Sequence, residues 1–280
     1  MTVTMPEPKN TLLGKDTVYG DQYNPDLLQA ISRSLGRDAI GRQHFRGVDI
    51  WRLYELSWLN DQGIPQTAIG EVRVPATSPF IVESKSLKLY CGSFAMSKID
   101  SIEKLAAVMT HDLSTCLKAP VEVRLFPLPQ YKGNLCRMPG TSLDTIRLDD
   151  GDLFDSYETE PNFLTFNPDD SRTICETFST TVFRSLCPVT GQPDLAAVMI
   201  HYKGRSIDRA GLLKYLVSYR RHRGFHEQCV EQIYHDIVSR LSPEELEVYA
   251  CFTRRGGIDI NPFRSSFRDE PEETIRELRQ

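Results

Sequence analysis

The sequence predicts an α+β protein with antiparallel sheets, and two observations support this fold class. Stretches in which apolar and polar residues alternate, as they do in strands, meet at polar turns in the way that hairpins do. The same order of elements, a hairpin followed by two helices and further strands, occurs in each half of the 280 residues. A chain of this length has room for an internal duplication.

The first half opens with a predicted hairpin. Residues 48–59 (VDIWRLYELSWL) alternate well enough for a strand, a turn rich in Asn, Asp and Gly follows, and residues 68–74 form a second extended run. Two stretches with helical periodicity begin at Ser84 and Ser101. Another strand is predicted to begin at Val121.

The second half repeats this order. Residues 176–186 (ETFSTTVFRSL) and 195–202 (LAAVMIHY) predict a hairpin, and two helical stretches follow. Residues 246–254 (LEVYACFTR) then predict a strand.

The turns of the two hairpins align without a gap, which places Leu59 opposite Cys187 and Gln66 opposite Asp194. The second half therefore has a thiol and a carboxylate where the first half has neither. On this alignment, the two duplicated units have different functional roles.

The polar stretch between the halves is rich in Pro and Asp, which is typical of a joint. We predict an N-terminal unit over residues 1–140 and a C-terminal unit over residues 141–280, with the boundary inside 133–170. The acidic cluster at residues 149–152 lacks the ligand spacing and the terminal Glu of an EF-hand, which favours a solvated loop.

Composition excludes several classes of protein. With 40% hydrophobic and 25% charged residues, the chain falls in the range of soluble globular proteins. A net charge of -5 disfavours a nucleic-acid partner, because the molecule as a whole repels phosphates. No secretory signal or membrane span is recognisable, which makes the cytoplasm the expected location. The seven scattered cysteines contain no C-x-x-C pair, which disfavours a disulfide scaffold and a structural zinc site.

The turn C-P-V-T-G-Q-P-D begins with Cys187 and ends with Asp194. Its prolines and glycine would hold the two side chains rigidly, as a nucleophile and its proton donor require. The same pattern also fits a hairpin in which Asp194 binds backbone amides and Cys187 fills space. Spacing alone does not decide between the two interpretations.

His226 and Glu227 begin a predicted helix, so both side chains point out of its first turn. A zinc-protease motif would need a second His four positions after the first, where Val230 stands. The alternative to a functional role is a purely structural one, in which His226 lies on the surface and the helix dipole favours Glu227 in the first turn.

Two basic segments could meet an anionic group such as a phosphate. Ser84 and Lys85 start a helix, and Arg255 and Gly256 follow a strand, with Lys88 a further candidate. The sequence has neither a G-x-G-x-x-G motif nor a P-loop, so a dinucleotide would bind outside those folds.

Four motifs, V-E-S-K-S-L-K-L-Y, C-P-V-T-G-Q-P-D, F-H-E-Q-C-V and R-R-G-G-I-D-I-N-P, occur in this order over nearly the whole chain. In these motifs the sequence resembles the long-type QueF family. Members of this family are the nitrile reductases of queuosine biosynthesis, and queuosine is a modification of tRNA. The resemblance implies a tunnelling fold (T-fold), in which two tandem ββααββ units join their sheets into a barrel across subunits. It also implies a homodimer.

The resemblance implies that the protein reduces 7-cyano-7-deazaguanine to 7-aminomethyl-7-deazaguanine, consumes two NADPH and needs no metal. Cys187 would add to the nitrile carbon and form a covalent thioimide, and Asp194 would donate the proton. The residues that would bind the base are Val82, Glu83, Ser84, His226 and Glu227. The residues that would bind NADPH are Ser84, Lys85, Arg255 and Gly256.

Three alternatives stay open at this point. A cysteine hydrolase would form the same thioimide and then add water. Another purine or pterin enzyme of the same fold would use zinc and would need a set of His and Cys ligands. A base-binding module would need no catalysis, and the presence of both Cys187 and Asp194 argues against it.

Overall fold

The computed structural model describes residues 19–133, 135–146 and 154–280. The predictions for the N-terminal residues 1–10 and for the acidic cluster at 149–152 lie outside these ranges. The strands of the described part are β1 (Ala30–Ser32), β2 (Gly47–Leu59), β3 (Pro65–Pro75), β4 (Phe80–Val82), β5 (Glu122–Pro127), β6 (Thr141–Ser142), β7 (Thr173–Leu186), β8 (Pro193–Arg205), β9 (Glu245–Phe252) and β10 (Ile258–Ser265).

The helices are α1 (Ser34–Ile40), α2 (Ser84–Ser93), α3 (Ile102–Leu117), α4 (Arg209–Ser218) and α5 (His226–Leu241). Short 3-10 turns connect several elements and span Pro25–Leu27, Leu128–Gln130, Leu143–Thr145, Pro161–Phe163 and Tyr219–Arg221. Within the described ranges, no helix is both long enough and apolar enough to cross a membrane.

Eight strands form one sheet in the order β5-β3-β2-β10-β9-β8-β7-β6. Its neighbouring strands are antiparallel except for the short β6, which runs parallel to β7. Strands β1 and β4 form a separate antiparallel pair. The predicted α+β class with antiparallel sheets is therefore confirmed.

Every strand and helix predicted from periodicity is present, but β10 was missed. This strand joins the two halves, because it pairs with β2 on one side and with β9 on the other. Its Pro262 lies opposite Asp49 of β2. Proline has no N–H to donate to a neighbouring strand. A proline in the sequence therefore argues against predicting a central strand at that place. The prediction also missed the short β1, α1, β4 and β6.

The helices cover one face of the sheet. In α3, the side chains of Leu105, Met109, Leu113 and Leu117 recur every fourth residue and are fully buried in a cluster with strands of the first half. The helix begins after Ser101, whose hydroxyl accepts a hydrogen bond from the Lys104 N–H at 3.2 Å. Residues of α4 and α5 form a second cluster with strands of the second half.

The gap-free alignment of the two hairpins is wrong by one residue at the turn. In the first hairpin Leu59 pairs with Pro65, and in the second Leu186 pairs with Pro193, so the second turn is longer. Asn60, not Leu59, is the structural counterpart of Cys187, since each donates its N–H to the carbonyl of the residue before the proline.

The two halves contribute to a single sheet, and the division into units at 140 and 141 stays a prediction. The seam between them is where β2 meets β10, and the first turns of α2 and α5 lie against it. A cavity is found at this seam.

Candidate active site

A cavity of about 230 Å³ opens at the seam, and residues of both halves line it. All of the predicted site residues except Glu83 lie in its wall, namely Val82, Ser84, Lys85, Cys187, Asp194, His226, Glu227, Arg255 and Gly256. These residues come from four separate segments of the chain. The fold therefore brings the four motifs to one place.

The turn that carries Cys187 is held by its own backbone. The Cys187 N–H donates to the Gln192 carbonyl at 2.9 Å, and the Gly191 N–H donates to the Cys187 carbonyl at 3.0 Å. Gly191 has a φ of +68°, which a glycine adopts at little cost. The turn therefore holds the nucleophile candidate in one position.

Cys187 differs from the other cysteines in its surroundings. Its side chain is half-buried and lines the cavity. Burial raises the pKa of the Cys91 and Cys229 thiols to about 12, and also raises that of Cys251, so these three are poor nucleophiles. Cys175 is exposed and does not line the cavity.

Asp194 is only 5% exposed and is held by two donors on one oxygen. His226 Nε2 lies 3.2 Å from its Oδ1, and Arg255 Nη2 lies 3.1 Å from the same atom. The second half of the chain thus presents a thiol, a carboxyl group, an imidazole and a guanidinium in the same cavity wall.

Two polar atoms of α5 residues in the cavity wall have no hydrogen-bond partner among the residues that the structure describes. They are Nδ1 of His226 and Oε1 of Glu227, and both are buried in residues that line the cavity. Buried polar atoms in folded proteins are nearly always hydrogen-bonded. Their position indicates where a ligand with matching polar groups would bind.

Burial, together with the nearby carboxylate of Asp49, raises the pKa of Glu227 to about 8. The guanidinium groups of Arg33 and Arg264 act in the opposite direction. A ligand that donates hydrogen bonds to both oxygens would favour the carboxylate and lower this pKa.

A buried ionic network lies behind Glu227, one helical turn further along α5. Glu231 accepts hydrogen bonds from Arg37 and Arg264, and Asp49 accepts them from Arg33 and Arg264. These contacts tie β2 and the start of α1 to α5 and β10. Sequence analysis missed the network, because isolated charged residues ordinarily lie on the surface.

Glu83 is fully buried and does not line the cavity. Its carboxylate caps α2, where it accepts hydrogen bonds from the N–H groups of Lys85 at 2.8 Å and Ser86 at 2.7 Å. Burial raises its pKa, which these two bonds oppose. Its predicted role in substrate binding stays a prediction.

The basic side of the cavity fits the phosphates of a dinucleotide. Ser84, Lys85 and Lys88 of α2 line the cavity together with Arg255 and Gly256. No group of three or more His, Cys, Asp or Glu side chains that could hold a metal ion occurs in the part of the chain that the structure describes.

Sequence analysis also missed the apolar lining. Trp51 of β2, Ile260 of β10 and Phe225 before α5 contribute to the wall. An apolar wall with a few converging polar groups is typical of small-molecule sites. In the sequence these residues looked like ordinary strand and core positions, so only their location in the fold identifies them.

Two family models match the chain. The model described as "Nitrile reductase, 7-cyano-7-deazaguanine-reductase N-term" matches residues 19–125, and the model described as "QueF-like protein" matches residues 193–271. A solved structure of the archaeosine synthase QueF-Like in the apo form covers 34% of this chain and 92% of that chain, with 18% identity and a TM-score of 0.30. That score is too low to carry an argument about the fold.

Curated relatives match over nearly the full length. The NADPH-dependent 7-cyano-7-deazaguanine reductase of Burkholderia thailandensis is 48% identical over 98% of this chain and 99% of its own length. The enzymes of the same name from Burkholderia multivorans and Burkholderia vietnamiensis are each 47% identical with the same coverage. The chain therefore belongs to the QueF family of nitrile reductases.

Proposed function

We propose that this protein uses NADPH to reduce the nitrile of 7-cyano-7-deazaguanine to an aminomethyl group, through a covalent thioimide on Cys187. One observation carries the proposal. The half-buried thiol shares a cavity with the buried carboxyl group of Asp194 and with two unpaired polar atoms of His226 and Glu227. The names of the full-length relatives support the same reaction.

In the first step the thiolate of Cys187 bonds to the nitrile carbon, and the triple bond becomes a double bond. The nitrile nitrogen gains a proton as charge develops there, and Asp194 is the donor. Arg255 and His226, both on Oδ1 of Asp194, position that carboxyl group.

Ser84, Lys85, Arg255 and Gly256 would hold NADPH against the cavity. When bound, NADPH would supply the hydride for each of the two reductions, that of the thioimide and, after the sulfur of Cys187 leaves, that of the remaining imine. The sum is a nitrile, two NADPH and two protons converted to a primary amine and two NADP⁺.

Residues of both halves bind the base. They are Val82, Glu83 and Ser84 from the first half and His226 and Glu227 from the second. The carboxylate of Glu227 has two oxygens for the adjacent N–H donors of a guanine-like edge. An analogue without those donors would leave the buried carboxylate unpaired. The site should therefore favour the base over such an analogue by a factor of about 10⁴. Glu83 contributes through the helix start that it caps.

The wider assignment rests on the same resemblance. We propose a T-fold of two tandem ββααββ units over residues 1–140 and 141–280, a homodimer, and a cytoplasmic enzyme of queuosine biosynthesis without a nucleic-acid partner. The two hairpins, each followed by two helices, support the tandem units.

Mass spectrometry of the intact protein tests the proposal. Protein mixed with the nitrile base in the absence of NADPH should gain the mass of one base per active site. Cys187→Ala should abolish this gain, whereas Cys175→Ala, a control at an exposed cysteine, should retain it. A mass gain that survives Cys187→Ala would contradict the assignment.

The product separates the reductase from a cysteine hydrolase, which forms the same adduct. With NADPH present, the reductase gives the amine and consumes two NADPH per base. Release of an acid or amide without loss of NADPH absorbance would assign the hydrolase instead.

A further inference from the structure

The buried ionic network behind Glu227 carries more positive than negative charge. Within the described ranges, its ion pairs join three guanidinium groups to two carboxylates, and every one of these side chains is at most 7% exposed. The groups belong to Arg33, Arg37, Arg264, Asp49 and Glu231. One positive charge is therefore left without a counter-charge inside the network.

The two carboxylates of the network stay ionised. Burial acts to raise the pKa of Asp49 and that of Glu231, but the guanidinium groups of Arg264 and Arg33 outweigh it and lower both values. Guanidinium groups do not lose their proton in proteins. The excess positive charge is therefore present at neutral pH, where a buried charge without a partner costs free energy.

Arg33 is a member of the network with an unused donor. Its Nε donates to the Ser78 hydroxyl at 3.1 Å, and its Nη2 donates to Asp49. Its Nη1 is buried and has no hydrogen-bond partner among the described residues, since Oε1 of Glu231 lies 3.6 Å away. Buried polar atoms are rarely left in this state. Oε1 of Glu227 is the unpaired acceptor of the same region, and the charges of Arg33 and Glu227 act on each other.

Glu227 is surrounded by charges of both signs. Burial and the carboxylate of Asp49 on β2 raise its pKa, whereas Arg33 before α1 and Arg264 on β10 lower it. The other titratable groups of its helix, of α1 and of the cavity wall are His226, Cys229, Glu231, Arg37, Lys85, Lys88, Cys187, Asp194 and Arg255. When Glu227 ionises, its negative charge balances the excess positive charge of the network.

We propose that Arg33 is a positioning residue for base binding, because it supplies the positive charge that the Glu227 carboxylate balances when it accepts hydrogen bonds from the base. The inference rests on the proposed function, in which Glu227 binds the guanine-like edge. Asp49 acts in the opposite direction, because its negative charge disfavours the same carboxylate. A base that needs the carboxylate binds more tightly when more of Glu227 is ionised before it arrives.

Charge variants of the Arg33–Asp49 pair separate an electrostatic role from a structural one. Arg33→Met and Asp49→Asn break the same ion pair, so damage to the fold would move any measured property in the same direction. Loss of a positive charge and loss of a negative charge act on the Glu227 carboxylate in opposite directions. The double variant removes both charges and keeps the excess of one. Arg33→Lys keeps the charge in place, and Arg46→Met removes an equal charge at the surface.

The first measurement needs no ligand. Carbon-13 NMR of labelled glutamate side chains, with the Glu227 signal assigned through Glu227→Gln, gives the pH at which this carboxyl group titrates. Arg33→Met should raise that midpoint by about one pH unit or more, and Asp49→Asn should lower it by a similar amount. The double variant, Arg33→Lys and Arg46→Met should each stay within about half a pH unit of wild type.

The second measurement is calorimetric titration with the nitrile base at pH 7. Every chain also carries Cys187→Ala, so that no covalent bond forms. Arg33→Met should weaken binding about tenfold, since a midpoint one pH unit higher leaves about a tenth of the carboxylate. Asp49→Asn should strengthen binding, and the double variant should bind within about threefold of the chain with Cys187→Ala alone.

Equal midpoints, or shifts of Arg33→Met and Asp49→Asn in the same direction, would overturn the inference. If Arg33→Met does not fold, Asp49→Asn and the double variant decide it, because the first should still lower the midpoint and the second should restore it. Failure of the proposed function looks different. In that case the midpoints move as expected but the wild-type protein forms no adduct with the nitrile base, so the charge balance stands and its use in base binding is refuted.

Discussion

The ring of His226 lies flat on the ring of Phe252, with centroids 3.8 Å apart and planes 9° apart, while Nε2 lies 3.2 Å from Asp194 Oδ1. The imidazole is thus fixed between an apolar ring and an acid. When it is neutral, an Nε2–H that donates to Asp194 leaves Nδ1 as an acceptor. Nδ1 is the atom without a partner in the described residues, so it is available to a donor on the substrate.

Asp194→Asn should reduce turnover about 10²- to 10⁴-fold, because the amide cannot deliver the proton that general acid catalysis requires. Binding of the base should change far less, since the side chain keeps its size. Steady-state kinetics and calorimetric titration measure the two quantities. Gln66→Ala, at the equivalent place in the first hairpin, should keep full activity. Wild-type turnover in Asp194→Asn would contradict the assignment.

Glu227 should make stability fall as pH rises from about 4.5 to about 8. Burial raises its pKa from 4.5 to about 8, so in this window the folded chain keeps a proton that the unfolded chain has lost. Glu227→Gln removes this dependence. Thermal unfolding should show the variant gaining stability relative to wild type between pH 5 and pH 8.5, and a constant difference would contradict the argument.

Binding of the base should release a proton from the same group at pH 7. If N–H donors of the base require the carboxylate of Glu227, affinity should rise with pH and level off above about pH 8. Calorimetry in two buffers with different ionisation enthalpies counts the released proton. Glu227→Gln should release none, and equal proton release from the two proteins would argue against a role for this carboxyl group.

Glu231→Gln should destabilise the fold by about 3–5 kcal/mol, because it leaves Arg37 buried without its counter-charge and leaves Arg33 and Arg264 to share the single carboxylate of Asp49. The control is Asp269→Asn, which breaks the exposed pair with Arg46 and should change stability far less, because water screens surface charges. Urea unfolding measures both. Similar small losses in the two variants would show that the buried network contributes little.

Gly257→Ala should destabilise the protein more than Gly63→Ala. Both glycines have positive φ, at +76° and +80°, but a Cβ at Gly63 meets no atom within 4 Å, whereas one at Gly257 meets Glu55. The control therefore reports the backbone cost of about 1 kcal/mol alone. Adding Glu55→Ala to Gly257→Ala should recover the excess loss in urea unfolding, and no recovery would place the collision elsewhere.

Local patterns predicted most of the longer strands and helices of this protein, and the resemblance of four motifs to a known family supplied the site residues. Alternation in residues 48–59 and 176–186 predicted the hairpins, because the side-chain period of a strand is visible in sequence. The four motifs predicted residues that, except for Glu83, line one cavity. Short-range chemistry, such as a turn between Cys187 and Asp194, needs no knowledge of distant contacts.

Only the tertiary structure decided how these segments meet. The pairing of β10 with β2, the buried contacts of Glu231 with Arg37 and Arg264, and the approach of Lys88 to Gly256 all join residues far apart in the chain. No local periodicity encodes such contacts, because they depend on which faces pack together. For the same reason Glu83, a plausible ligand in the sequence, lies beneath the start of a helix as its cap.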